Sequence, residues 1–248
     1  MKTLRACLII VLPALAVSCS DVNGPSDWYD QNASAAVTLE RIEKRSIEGI
    51  TTQDRFSATF YHPDSSGGII AGDVVVSGIS STQPVPLLPE KSRNEGVHYE
   101  GTADNPITSP LRFNRVPVQL DIAGNAAFPA FKLSLKAPFS ALDVLYPAPD
   151  DKVSKSEDLT VRWSTLDPAG EQVSVSIISA DGSGQIYSRV GPDNGQHTIK
   201  AADLATIGPN TALLIVERFH PEYLNAPGRR RIHTNIKSQT TIAVTLVP

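Results

Sequence analysis

Short runs of alternating apolar and polar residues, separated by turn-forming clusters, occupy the chain from about residue 35 onward. Arg55-Phe56-Ser57-Ala58-Thr59-Phe60-Tyr61 puts apolar side chains at 56, 58 and 60, the period-two pattern of a half-buried strand. Ala35 to Ser46 fits a strand through Val37-Thr38-Leu39, although Leu39 and Ile42 also fit a helical stripe. Ile69 to Ser77 reads as one strand, with Gly72 as a bulge or a point of close backbone approach. The Pro-rich stretch Gly78 to Lys91 is expected to run as an irregular or edge segment, because Pro84, Pro86 and Pro89 cannot donate to a ladder. Val97 to Glu100, Val116 to Ile122 and Ala130 to Lys136 complete about six strands, the last with Phe131, Leu133 and Leu135 on one face. No long amphipathic helix interrupts them, and turns every ten to fifteen residues predict a β-sandwich.

The pattern restarts near residue 141. Val144-Leu145-Tyr146 leads through a polar turn at Asp150 to Glu157 into Leu159-Thr160-Val161-Arg162-Trp163, whose odd positions face inward. Val173 to Ile178 and Gln185 to Val190 flank Asp181-Gly182-Ser183-Gly184, a hairpin turn. His197-Thr198-Ile199 follows, then a single helical turn at Ala202 to Ile207 stopped by Gly208-Pro209. Thr211 to Phe219 and Thr240 to Leu246 are the closing strands.

The fold class expected is therefore all-β, with two β-sandwich domains in tandem, 36–140 and 141–248. The second half resembles the immunoglobulin-like or fibronectin-like modules of bacterial surface lipoproteins. Three features carry the resemblance. The first is the Pro147-Ala148-Pro149-Asp150-Asp151-Lys152-Val153 opening before Leu159 to Trp163, in which Trp163 fills the inter-sheet core. The second is the Asp181 to Gly184 hairpin. The third is the strand, half-turn and strand from Gly195 to Arg218. The resemblance implies a fold and no particular activity, since such sandwiches host many roles.

The first twenty residues have a different character. Lys2 and Arg5 precede an apolar core from Leu8 to Val17, which is shorter than the roughly 20 residues that cross a bilayer. This reads as a cleaved export signal, residues 1–18. Leu15-Ala16-Val17-Ser18-Cys19 resembles the lipobox of bacterial lipoproteins, in which the cysteine is lipidated and becomes the first mature residue. The resemblance implies lipidation of Cys19, a membrane anchor through that lipid, and a tether over residues 19–35. With Ser20 rather than Asp after the cysteine, it favours the outer membrane. Two or three acyl chains make such an anchor stable.

Composition adds exclusions. The chain of 248 residues has two Cys, and Cys7 leaves with the signal, so the mature chain has no disulfide. Removing Lys2 and Arg5 leaves 20 basic residues against 26 acidic ones, which argues against nucleic acid as a partner. The partners expected are the membrane and either another envelope protein or a glycan. No cofactor and no metal is expected.

The search for chemistry yields weak candidates. The histidines are 62, 98, 197, 220 and 233, with no H-E-x-x-H, and G-x-S-x-G is absent. Phe60-Tyr61-His62-Pro63-Asp64 and Phe219-His220-Pro221-Glu222 look like matching strand ends that set a His beside a carboxylate. Strand termination by Pro is much the plainer reading. Arg229-Arg230-Arg231 with His233 is the one dense basic run. On a strand, Arg229, Arg231 and His233 share a face able to attract anionic glycan, phosphate or lipid head groups. Charge protection of an edge strand is the plainer reading. Asp150-Asp151, Asp181 and Asp193-Asn194 suit turn chemistry better than calcium. The function expected is a non-enzymatic binding or scaffold module on the envelope. The alternatives are carbohydrate binding through Tyr187 and Tyr223, and a hydrolase whose site is assembled from distant residues.

Overall fold

The computed structural model describes residues 34–61, 68–77, 84–92, 96–102, 117–135, 142–165, 172–226 and 230–248. Cys19, the signal and most of the tether, His62 and Arg229 lie outside them. Among the described residues the chain is built almost wholly of strands: β1 (Ala35–Ser46), β2 (Gly49–Tyr61), β3 (Gly68–Ile69), β4 (Val74–Ser77), β5 (Val85–Ser92), β6 (Gly96–Thr102), β7 (Val118–Ile122), β8 (Phe131–Leu135), β9 (Val144–Tyr146), β10 (Lys152–Ser154), β11 (Leu159–Trp163), β12 (Gln172–Ser179), β13 (Gln185–Pro192), β14 (Gln196–Ile199), β15 (Asn210–Ala226) and β16 (Arg230–Val247). The single helical turn is α1 (Ala201–Leu204), and no helix of the described residues is long and apolar enough to cross a membrane.

Alternation decides which residues form the first core. Phe56, Ala58 and Phe60 of β2 are buried with Val37 and Leu39 of β1, Val74 and Val76 of β4, and Leu120, Leu133 and Leu135 of β7 and β8. β1, β2 and β6 form one layer, and β4, β7 and β8 the other. β5 serves both, since Val85 to Leu87 pair with β4 and Leu88 to Ser92 pair with β6. The Pro-rich stretch is thus a regular strand in its second half. Among the described residues each half of β5 has a ladder partner on one side only, so Pro86 and Pro89 forfeit no bond to a second neighbour. Ile69 to Ser77 is two strands rather than one. Gly72 breaks it at φ +83°, and a Cβ there would lie 2.4 Å from the Gly124 carbonyl oxygen, so the close approach requires glycine. Tyr99 ties this corner down: its buried hydroxyl donates to the Gly72 carbonyl at 2.8 Å and accepts from the Ala71 amide at 3.0 Å.

The second core lies between β14-β11-β9 and β13-β12-β15-β16. It buries Leu159, Val161 and Trp163 of β11 against Val173, Val175 and Ile177 of β12, Leu214 and Val216 of β15, and Ile242, Val244 and Leu246 of β16. These two facing sheets make an immunoglobulin-like sandwich. The Asp150 to Glu157 turn contains a strand the sequence pattern hides. β10 runs parallel to the end of β16, and Val153 is its one core residue. Within this core Asp193 and Arg218 form a buried ion pair. Arg218 donates through Nε to Asp193 Oδ2 at 2.8 Å and through Nη2 to the Ser164 carbonyl at 2.5 Å. The Trp163 indole N–H donates to Asp193 Oδ1 at 2.7 Å.

The closing strands are much longer than their apolar segments suggest. β15 runs past Phe219 to Ala226, and β16 starts at Arg230 rather than Thr240. The outer half of this hairpin leaves the second sandwich and joins the first, where β1 pairs in parallel with β16 from Ala35↔Ile232 to Arg45↔Ile242. A boundary at residue 141 assigns the whole hairpin to the second unit, whereas Leu224 and Ile232 pack into the first core. At ~3.3 Å per residue, the 17 residues of β15 span about 55 Å.

Between the cores the shared inner face turns polar. Leu39 on β1 is followed on the same side by Arg41, Glu43 and Arg45. Arg41 clasps Asp54 of β2 through Nε at 2.8 Å and Nη2 at 2.9 Å. Arg45 bonds Asp143, and reaches Glu43 Oε2 at 3.1 Å. Thr240 donates its hydroxyl to the Leu142 carbonyl at 2.6 Å. The segment joining the units is therefore held to the shared sheet.

Candidate binding surface

The outer face of the first sandwich carries the residues singled out in the basic run. Tyr223 on β15 lies directly opposite His233 on β16, with ring centroids 5.0 Å apart. The Arg231 guanidinium sits 4.5 Å from the centre of the Tyr223 ring, so it stacks as a cation on the aromatic face. Arg231 and His233 thus share a side, marked by their common contact with Tyr223. Their accessibility differs sharply: Arg231 is exposed and Tyr223 is 44% exposed, but His233 is 2% exposed. A ligand at this point meets Arg231 and Tyr223, with His233 as floor. For Arg230 only the backbone is described, as the first residue of β16.

The Phe219 to Glu222 run is not a strand end. β15 continues through it, with His220 opposite Ile236 and Glu222 opposite Thr234. The reason lies in the neighbours. Among the described residues β12 accompanies β15 only as far as Phe219, so from His220 on β15 is an edge strand there, and Pro221 gives up no ladder bond. His197 on β14 sits at the rim of the second core, and burial pushes its pKa down.

The Asp-rich turns do what turn chemistry predicts. Asp151 Oδ2 accepts from the Ala148 amide at 2.8 Å, and Asn194 Oδ1 accepts from the Gln196 amide at 3.1 Å. Asp181 accepts from the Ser179 hydroxyl and from the Ser183 amide at 2.8 Å, and these bonds hold its pKa down at about 2.

Ladder register extends the outer face across the sheet. One row reads Tyr223, His233, Ala36, Thr59, His98 and Glu90. The neighbouring row contains Thr38, Ser57, Glu100 and Leu88. With strands ~4.8 Å apart, the first row covers about 24 Å. Its middle has short side chains. One flank has Tyr223 and Arg231. On the other, His98 Nε2 lies 3.9 Å from Glu90 Oε2 and 3.7 Å from Glu100 Oε2. In the sequence His98 is one of five scattered histidines. The pairing that brings Glu90 opposite it depends on the β5–β6 register, which no local pattern announces.

No protein-family model matches the chain, and no curated protein matches it either. Among solved structures it is similar to the FN1–FN3 domains of chicken CNTN1, at 10% identity over 87% of this chain and 67% of the other, with a TM-score of 0.23. It is similar to the fibronectin(III)-like modules of Clostridium thermocellum CbhA, at 11% identity, 84% and 94% coverage, and a TM-score of 0.21. A third is DIP-gamma IG1+IG2, at 10% identity, 84% and 98% coverage, and a TM-score of 0.20. Strand order and core composition define the sandwich architecture of the chain.

Proposed function

We propose that this chain is a lipid-anchored envelope protein whose folded part is a stiff, non-enzymatic binding or scaffold body. The observation that supports this reading best is the shared hairpin. Two sandwiches joined by a flexible linker move independently. Here β15 and β16 belong to both cores, and Arg45 and Thr240 fasten the junction through the Asp143 carboxylate and the Leu142 carbonyl. A body of this kind holds a binding face at a fixed distance from its attachment point. Cys19 supplies that attachment through lipid, on the outer membrane.

The test is replacement of Cys19 by alanine, followed by membrane fractionation and palmitate labelling. The expected result is loss of label, unprocessed or soluble protein, and an unchanged far-UV CD spectrum. Unchanged labelling and membrane association would overturn the anchor. A glycan-binding role is favoured by one observation, the 44% exposure of Tyr223 beneath a stacked Arg231. A glycan array probed with wild type and Tyr223→Ala tests it, and identical silence from both removes it.

A further inference from the structure

We infer that Glu90, His98 and Glu100 form a site for one divalent first-row transition-metal ion, with zinc as the representative probe. Glu90 and His98 are directly opposed on β5 and β6, and Glu100 follows His98 by two residues, so all three side chains rise from one face. Their nearest ligand atoms all lie within 4.8 Å of one another. The imidazole Nε2 is 3.9 Å and 3.7 Å from the two carboxylates, too far for a hydrogen bond to either. Ligands bound at ~2.1 Å to a tetrahedral ion stand about 3.4 Å apart, so the two imidazole–carboxylate distances close by a few tenths of an ångström, and the two carboxylates, within 4.8 Å of each other, close by up to about 1.4 Å. The carboxylates have room for that closure, being 59% and 36% exposed, whereas the His98 side chain is held at 24%.

Charge points the same way. Two carboxylates converge on one imidazole, and among the described residues neither is paired with a lysine or arginine. On β2, Glu100 faces Ser57 and His98 faces Thr59, both uncharged. A divalent cation supplies the missing positive charge. One nitrogen and two oxygens suit zinc, manganese, cobalt or nickel. Calcium needs six to eight oxygens, which this face does not offer. Three protein ligands leave an open position for water or for an acidic group of a partner. His98 Nδ1 is buried without a hydrogen-bond partner among the described residues. Tight sites give that nitrogen an acceptor, and its loss costs ~10–100-fold in affinity, so the site is expected to bind in the micromolar range.

The experiment is calorimetric titration of the full-length protein in detergent with zinc chloride, alongside calcium and magnesium chloride. The expected result is one zinc per chain with a Kd of about 1–10 µM, weakened at least tenfold by His98→Gln and by Glu90→Gln/Glu100→Gln. These three side chains are at the surface, so both variants should keep the wild-type CD spectrum, and Glu100→Gln alone serves as a milder variant. Absence of zinc binding, equal binding by wild type and both variants, or calcium binding as tight as zinc would each overturn the inference. The result is independent of the anchor, since Cys19 takes no part in it.

Discussion

Replacing Asp193 by alanine removes the acceptor on which the Arg218 guanidinium, the Trp163 indole N–H and the Gly195 amide converge. Arg218, with a side chain 3% exposed, keeps its charge but loses its counter-ion, whose own side chain is fully buried. Breaking a buried pair from one side costs about 3–5 kcal/mol, because an uncompensated charge stays in the core. The Trp163 indole N–H loses its 2.7 Å partner as well, and an unsatisfied buried donor costs about 1–3 kcal/mol. The two penalties share one site and do not simply add, so about 4–5 kcal/mol is expected for Asp193→Ala. That is a large share of the ~5–15 kcal/mol typical of a folded domain. Asp193→Asn keeps an acceptor for Trp163 and loses only the charge, so about 3 kcal/mol is expected.

A double-mutant cycle separates this argument from mere loss of packing. Arg218→Met on its own strands the Asp193 carboxylate. The pair Asp193→Ala/Arg218→Met leaves no buried charge, so its cost should fall short of the sum of the single changes by about 2 kcal/mol or more. Guanidinium unfolding followed by far-UV CD and by tryptophan fluorescence measures all four proteins, and Trp163 reports on this core directly. An Asp193→Ala cost below ~1 kcal/mol, or single changes that add within ~0.5 kcal/mol, would refute the reasoning.

Other outcomes follow from the same geometry. Residues 36–140 expressed alone should not fold, because β1 loses β16 and the core loses Ile232; an NMR spectrum with native dispersion would contradict this. Tyr99→Phe should cost about 2 kcal/mol in denaturant titration, since the Ala71 amide loses its buried acceptor. Gly72→Ala should cost more than ~1 kcal/mol through its positive φ, before the clash with the Gly124 carbonyl is counted. Two carboxylates give pH effects of opposite sign. Burial raises the pKa of Glu217 above its ordinary value of 4.5, so stability falls as pH rises from 4.5 through the raised value, and Glu217→Gln should flatten that slope. Asp181 is held at about 2, so its contribution is present above 3.8 and fades as pH falls toward 2; carboxyl NMR titration gives the midpoint.

Strand existence was legible wherever alternation was clean: 56, 58 and 60 in β2, 131, 133 and 135 in β8, and 159, 161 and 163 in β11 all face a core. Trp163 occupies the inter-sheet position its context suggested. The hairpin extensions were not legible, because alternation signals burial and the outer half of β15 is an edge strand with little burial. Pro221 also looked like a stop, yet proline stops a strand only where a neighbour needs its N–H. The surface residues were legible as groups only where they lie on one strand. Arg231 and His233 lie two apart, and strand parity alone places them together. Glu90 and His98 meet only through a cross-strand register.

The charge pattern of β1, which the sequence rightly reads as a strand, is the most instructive. Its odd positions are apolar at 35, 37 and 39, then charged at 41, 43 and 45, a change that looks like a strand running out of its core into solvent. Asp54, the partner of Arg41, is instead 2% exposed. The strand passes from one core toward another, and the polar stretch is the seam. Such a seam has a physical use. β1 and β16 pair over eleven positions, and a slip of two residues would keep every side chain on its proper face, so alternation alone does not forbid it. The slip would carry Arg41 into the first core in place of Leu39 and separate it from Asp54, stranding a buried charge. The charged stretch therefore fixes how far each core extends along the shared strands, which apolar residues on the same face would leave undefined.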